Sequence, residues 1–130
     1  MNRTKQSTVI AGALTLVLMA ASAARAAEKS NSAIAFERLK SLVGEWKGVQ
    51  DGTEVKLTYT LTANGSALME EFKPKDEPIM ITMFSVDGDH LIATHYCSAR
   101  NQPQMATEPI TEPKTKRLAF SLVRVTGMTT

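Results

Sequence analysis

The feature that most constrains this 130-residue chain is an alternation of period two, broken by turn dipeptides. Across residues 53–61, Val55, Leu57, Tyr59 and Leu61 alternate with Glu54, Lys56, Thr58 and Thr60. A period of two puts one set on each face of a strand, and it is incompatible with the 3.6-residue period of a helix. One apolar and one polar face predict an antiparallel strand that is half buried. Asn64-Gly65 follows, a strong signal for a tight hairpin. Residues 66–72 return with Leu68, Glu70 and Phe72 set against Ala67, Met69 and Glu71.

The same grammar runs through the rest of the chain. A short strand over 46–49 ends at the Asp51-Gly52 turn, and a charged, proline-bounded loop fills 73–78. Strands are predicted over 79–86 and 90–97, joined at Asp87-Gly88. A polar loop spans 98–103, and a weak strand over 104–110 is interrupted by Pro109. After a loop at 112–116, residues 117–125 form a last strand, with Leu118, Phe120 and Leu122 against Ala119, Ser121 and Val123. Six or seven short strands in hairpin succession, with no βαβ unit, predict a mainly β fold: an antiparallel up-and-down barrel or sandwich.

One helix precedes the strands. Phe36, Leu39, Leu42 and Val43 have the spacing of a short amphipathic helix over 34–43, which Gly44 ends. Asn31 or Ser32 is the expected cap, and residues 27–33 read as a polar, flexible end.

Residues 1–26 read as an export signal. Arg3 and Lys5 lie in a polar opening without acids, residues 9–20 form an apolar run, and small residues follow with two competing cleavage sites, Ala21-Ser22-Ala23 and Ala24-Arg25-Ala26, of which the second leaves a polar mature end. The run is shorter than a membrane span, so no retained anchor is expected, and cleavage after Ala26 predicts a periplasmic or secreted protein. This changes the charge argument. The chain carries 15 Lys and Arg against 13 Asp and Glu. The signal holds Arg3, Lys5 and Arg25 and no acid, so its removal leaves the balance one negative and no basic footprint for nucleic acid. One Cys and two His exclude a disulfide scaffold and a multi-histidine metal cage.

A resemblance adds to this. Residues 36–46 place a helical turn before Gly44-Glu45-Trp46, a G-x-W opening of the first strand similar to that of lipocalins. The stretches VKLTYTLTANGSALMEEF and IMITMFSVDGDHLIATHYCSARNQPQM, with their H-Y-C-x-x-x-N-Q-P core, resemble exported bacterial lipocalin-like (calycin-type) proteins of unknown function. These are related in fold to nitrobindin-type haem barrels. The resemblance runs from about residue 36 to the end. It implies a lipocalin-like domain over 34–130 that binds a small apolar molecule, with Gly44 and Trp46 structural. Trp46 is expected to be buried at the closed end beside Phe36 and Leu39. It also implies further strands after RLAFSLVRVTGM. The chain is therefore expected to be C-terminally short, without the late position that carries haem, and to leave an open edge prone to edge-to-edge self-association. No cofactor is expected.

Candidate binding residues follow from both readings. Glu70 shares the face of Leu68 and Phe72, an unusual place for a carboxylate. His95, Tyr96, Asn101 and Gln102 belong to the H-Y-C-x-x-x-N-Q-P core, and amides after a strand suit a barrel mouth. His95 and Cys97, two apart, share a face and with Met80 or Met83 form the alternative of a soft metal site. A Cys–His nucleophile pair is the enzymatic alternative, and a purely structural or interaction module, favoured by an open barrel, is the third. Both residues are expected to be structural, since free cysteine is usually a buried filler. No catalysis is expected, for the chain has no paired carboxylates, serine triad order or phosphate loop.

Overall fold

The computed structural model describes residues 28–128; the stretch read as an export signal lies outside the described residues. Helix α1, Asn31–Leu39, runs into a 3₁₀ turn at Lys40–Leu42. Seven strands follow: β1 Gly44–Gln50, β2 Thr53–Thr62, β3 Ala67–Pro74, β4 Met80–Asp87, β5 His90–Tyr96, β6 Gln102–Ala106 and β7 Ser121–Thr126. Each pairs antiparallel with the next in one sheet of order β1 to β7. The sheet is open, an incomplete barrel with β1 and β7 as its edges.

Helix α1 starts earlier than the sequence pattern predicts. Its cap is Ser30, whose hydroxyl accepts from the Ala33 N–H at 3.2 Å. Ser32 is not part of a polar end but fully buried, donating to the Gly88 carbonyl at 2.6 Å. The Gly88 carbonyl lies in the β4–β5 turn, so that turn supplies the partner that makes burial of the hydroxyl tolerable.

The hairpins follow the alternation. Between β2 and β3, Ala63, Asn64 and Gly65 all adopt positive φ, at 49°, 53° and 84°. Gly65 and Asn64 are the residues that tolerate this. The β2–β3 register places Leu57 opposite Phe72, Tyr59 opposite Glu70 and Leu61 opposite Leu68.

Helix α1 packs on β4 and β5 and buries Ala35 and Phe36 against Leu68 and Leu91, both without exposed surface. Leu39, Tyr59, Phe84, Ile110, Leu118 and Phe120 surround this core. Leu118 and Phe120 explain why the last strand is shorter than its alternation predicts. They leave the ladder to pack inward, Phe120 edge-on to Phe84 with centroids 5.8 Å apart, and pairing begins at Ser121. The long β6–β7 connection is tied to the helix, with Arg38 Nη1 donating to the Thr115 carbonyl at 2.7 Å. A bulge between Gln104 and Met105 shifts the β6–β7 register.

Trp46 corrects an expectation. It is 48% exposed, and Phe36 packs elsewhere. The reason is its strand: β1 is an edge of the sheet, and none of the described residues beyond it covers the ring. Its indole N–H donates to the Leu42 carbonyl at 2.7 Å, tying the strand to the 3₁₀ turn. Urea denaturation is therefore expected to separate two substitutions. Leu68→Ala loses about 2–5 kcal/mol, the range for a buried leucine, and Trp46→Ala loses less than the roughly 3–5 kcal/mol of a core aromatic.

Candidate functional site

The face that carries α1 is ordered in rows across the strands, because partners in register share a face. The row nearest the helix is apolar: Leu61, Leu68, Phe84, Ala93 and Met105. The next row on the β1 to β5 side is Gly44, Tyr59, Glu70, Thr82 and His95. Beyond it lie Trp46, Leu57, Phe72 and Met80, and then Gly48, Val55 and Pro74. Same-face rows are about 7 Å apart, two strand residues. One polar row thus crosses four adjacent strands between apolar rows.

Its side chains are joined in pairs. Tyr59 donates its hydroxyl to Glu70 Oε2 at 2.5 Å. Thr82, almost fully buried, lies 3.0 Å from His95 Nδ1, its Oγ1 in hydrogen-bond contact. Glu70, Tyr59 and His95 are half-buried. Burial first, then the hydrogen bond to Glu70 and the carboxylate charge, raise the Tyr59 phenol well above its ordinary range. Tyr59 is therefore a fixed donor at neutral pH, and Glu70 is the acceptor.

Of the sequence candidates, Glu70 and His95 stand in this row, with Thr82 between them. Two strand spacings separate them, about 10 Å. The other candidates lie elsewhere. Tyr96 points to the opposite face, in register with Ile81, and is 49% exposed. Neighbouring residues on a strand cannot share a face, so Tyr96 cannot join His95.

Gln102 is not in a loop: it opens β6 opposite Thr126, whose hydroxyl is 3.3 Å from its Oε1. Asn101 holds the turn, its carbonyl accepting from the Cys97 N–H at 3.1 Å, and its amide reaches Met128 Sδ at 3.9 Å. Both amides are thus engaged with the β5–β6 turn and the chain's own end.

Cys97 lies just past the end of β5, in the β5–β6 turn, and its Sγ accepts from the Ala99 N–H at 3.5 Å. Met80 is on the face of His95, at 3.6 Å from Ser98 Oγ, whereas Met83 faces away, opposite Met69 and Thr94. With Nδ1 on Thr82, His95 offers only Nε2 to a ligand.

Tyr59 and Thr82 are the site residues that sequence reasoning missed. Tyr59 sat among apolar residues of its face, and Thr82 lay in an apolar run. Register alone brings the four together. The other histidine is structural: His90 Nδ1 is 2.7 Å from the Thr107 carbonyl and Nε2 is 3.0 Å from Asp89.

No family model, curated protein sequence or solved structure matches this chain.

The Tyr59–Glu70 pair has a pH signature. Above pH 10, the unfolded phenol releases a proton that the folded one keeps. The unfolded state then binds fewer protons, so stability is full below pH 10 and falls as pH rises. Tyrosinate absorbance is expected to show one phenol resisting ionisation until unfolding. Tyr59→Phe is expected to remove that phenol and lessen the alkaline loss of stability; an unchanged titration in this variant would contradict the assignment.

Proposed function

We propose that this chain is an exported binding module of lipocalin-like type, whose helix-bearing face takes up a small, largely apolar molecule without catalysing its conversion. The observation that carries this reading is the polar row Tyr59, Glu70, Thr82 and His95 set between apolar rows of one sheet face. Binding sites for small molecules combine mostly apolar lining with a few convergent polar groups. Leu57, Phe72 and Met80 supply the apolar row beside it and are only half-buried, so they remain open to a ligand. The order of basic, apolar and small residues over 1–26 supports export.

Trp46 is the only tryptophan and stands in that apolar row, so its emission reports on the face. Titration with octanol is expected to change Trp46 emission saturably. Leu57→Ala is expected to weaken binding by roughly tenfold, the scale of a lost leucine contact. Alkyl ligands of every head group leaving Trp46 unchanged would overturn the reading.

The free edges support a second reading, self-association. Trp46 and Val49 on β1, and Leu122 and Val123 on β7, are exposed. An unpaired apolar edge is a template for another strand. Sedimentation of the purified chain is expected to show a concentration-dependent dimer that Val123→Lys abolishes; a monomer at all concentrations removes this reading.

A further inference from the structure

Glu70 sets a condition on any ligand that covers the row. Among the described residues, the strand positions of this face carry no lysine, arginine or aspartate by register, Lys40 over the Phe36 ring is paired with Glu37, Asp51 and Glu77 beside Phe72 and Met80 add only negative charge, and no ion pair reaches Glu70. Tyr59 satisfies one carboxylate oxygen with a neutral hydrogen bond. His95 is the one other titratable side chain on this row, two strands away and held on Thr82.

A half-buried carboxylate keeps its charge by contact with water. An apolar molecule laid over it removes that water and leaves the charge uncompensated, which is costly. A carboxylate ligand adds repulsion. A hydroxyl supplies one hydrogen bond but no charge. A cation supplies both, and charge-assisted hydrogen bonds are the strong ones. The next row supports the same polarity. Phe72 follows Glu70 on its face, and Trp46 lies in register with Leu57. Aromatic faces attract ammonium groups and repel anions.

We infer that the ligand of this face is a small organic cation, an ammonium with an apolar body, whose nitrogen meets Glu70 and whose body lies along Leu57, Phe72 and Met80. The inference rests on the binding-module reading and adds the ligand's chemical class.

The test uses the full chain, Trp46 emission and three probes of one chain length: octylamine, octanol and octanoate at neutral pH. Octylamine is expected to half-saturate at a concentration about tenfold or more below octanol, and octanoate is expected not to bind. Glu70→Gln keeps the size and an acceptor for Tyr59 but removes the charge, so it is expected to make octylamine and octanol alike. A readout without any substitution accompanies it: salt at about 1 M is expected to narrow the gap in the unmutated chain while octanol binding persists.

Octylamine binding no tighter than octanol, or an amine preference that survives Glu70→Gln, overturns the cation and leaves the binding module standing. If neither amine nor alcohol moves Trp46 emission, the binding module falls and the cation with it.

Discussion

The packing of Phe36 and Ala35 on Leu68 and Leu91 is the interaction on which the rest depends. The alternation makes one face of the sheet the more apolar, and that face stays in water until something covers it. Helix α1 makes that choice, and burial of four side chains at a few per cent exposure or less holds it. Ser32 anchors the start of the helix to the β4–β5 turn, and Arg38 anchors its end to the β6–β7 connection. Both bonds cross long stretches of sequence, so the helix stitches distant parts of the meander as well as capping it. Register carries the consequence outward. Once Leu68 faces the helix, Glu70 and Phe72 must share that face, and so must each cross-strand partner.

The polar row follows from this choice. Tyr59, Glu70, Thr82 and His95 stand one row beyond the core; Thr82 is buried, while Tyr59, Glu70 and His95 are half-buried and not sealed. Their bonding in two pairs limits rotation and leaves one Glu70 oxygen and His95 Nε2 without a described partner. The arrangement sets a few polar groups inside an apolar surround, the composition on which the proposed binding rests. Cys97 and Met80 flank the row but are engaged with their own loop, through Ala99 N–H and Ser98 Oγ respectively.

Among the described residues, the two edge strands of the open sheet run in the same direction. In a meander every second strand runs the same way, so β1 and β7 of a seven-strand sheet are parallel to one another. Their closure would need a parallel ladder in an otherwise antiparallel barrel. Edge position, in turn, explains the exposure of Trp46, Val49, Leu122 and Val123. These side chains have the alternation of buried strands without neighbours to bury them.

Most of the fold is legible in the sequence. The alternation over 53–61, the Asn64-Gly65 and Asp87-Gly88 turns and the apolar spacing of Phe36 and Leu39 are local signals, and local backbone preference suffices to place them. The shared face of Glu70, Leu68 and Phe72 is local too, being a matter of odd and even positions. What escaped were features set by distant partners. The helix began at Asn31 because the Gly88 carbonyl was there to receive Ser32. The last strand began late because Leu118 and Phe120 found the core, and Trp46 stayed exposed because β1 is an edge among the described strands. The joining of Glu70 with Tyr59 and of His95 with Thr82 needed the register of four strands, whereas the separation of Tyr96 from His95 is again a matter of parity along one strand. Sequence by itself determined which side chains alternate, because the strand period is fixed by the backbone. Only the tertiary structure decided which alternating residues meet, because cross-strand pairing is set by how the whole sheet buries one face against the helix.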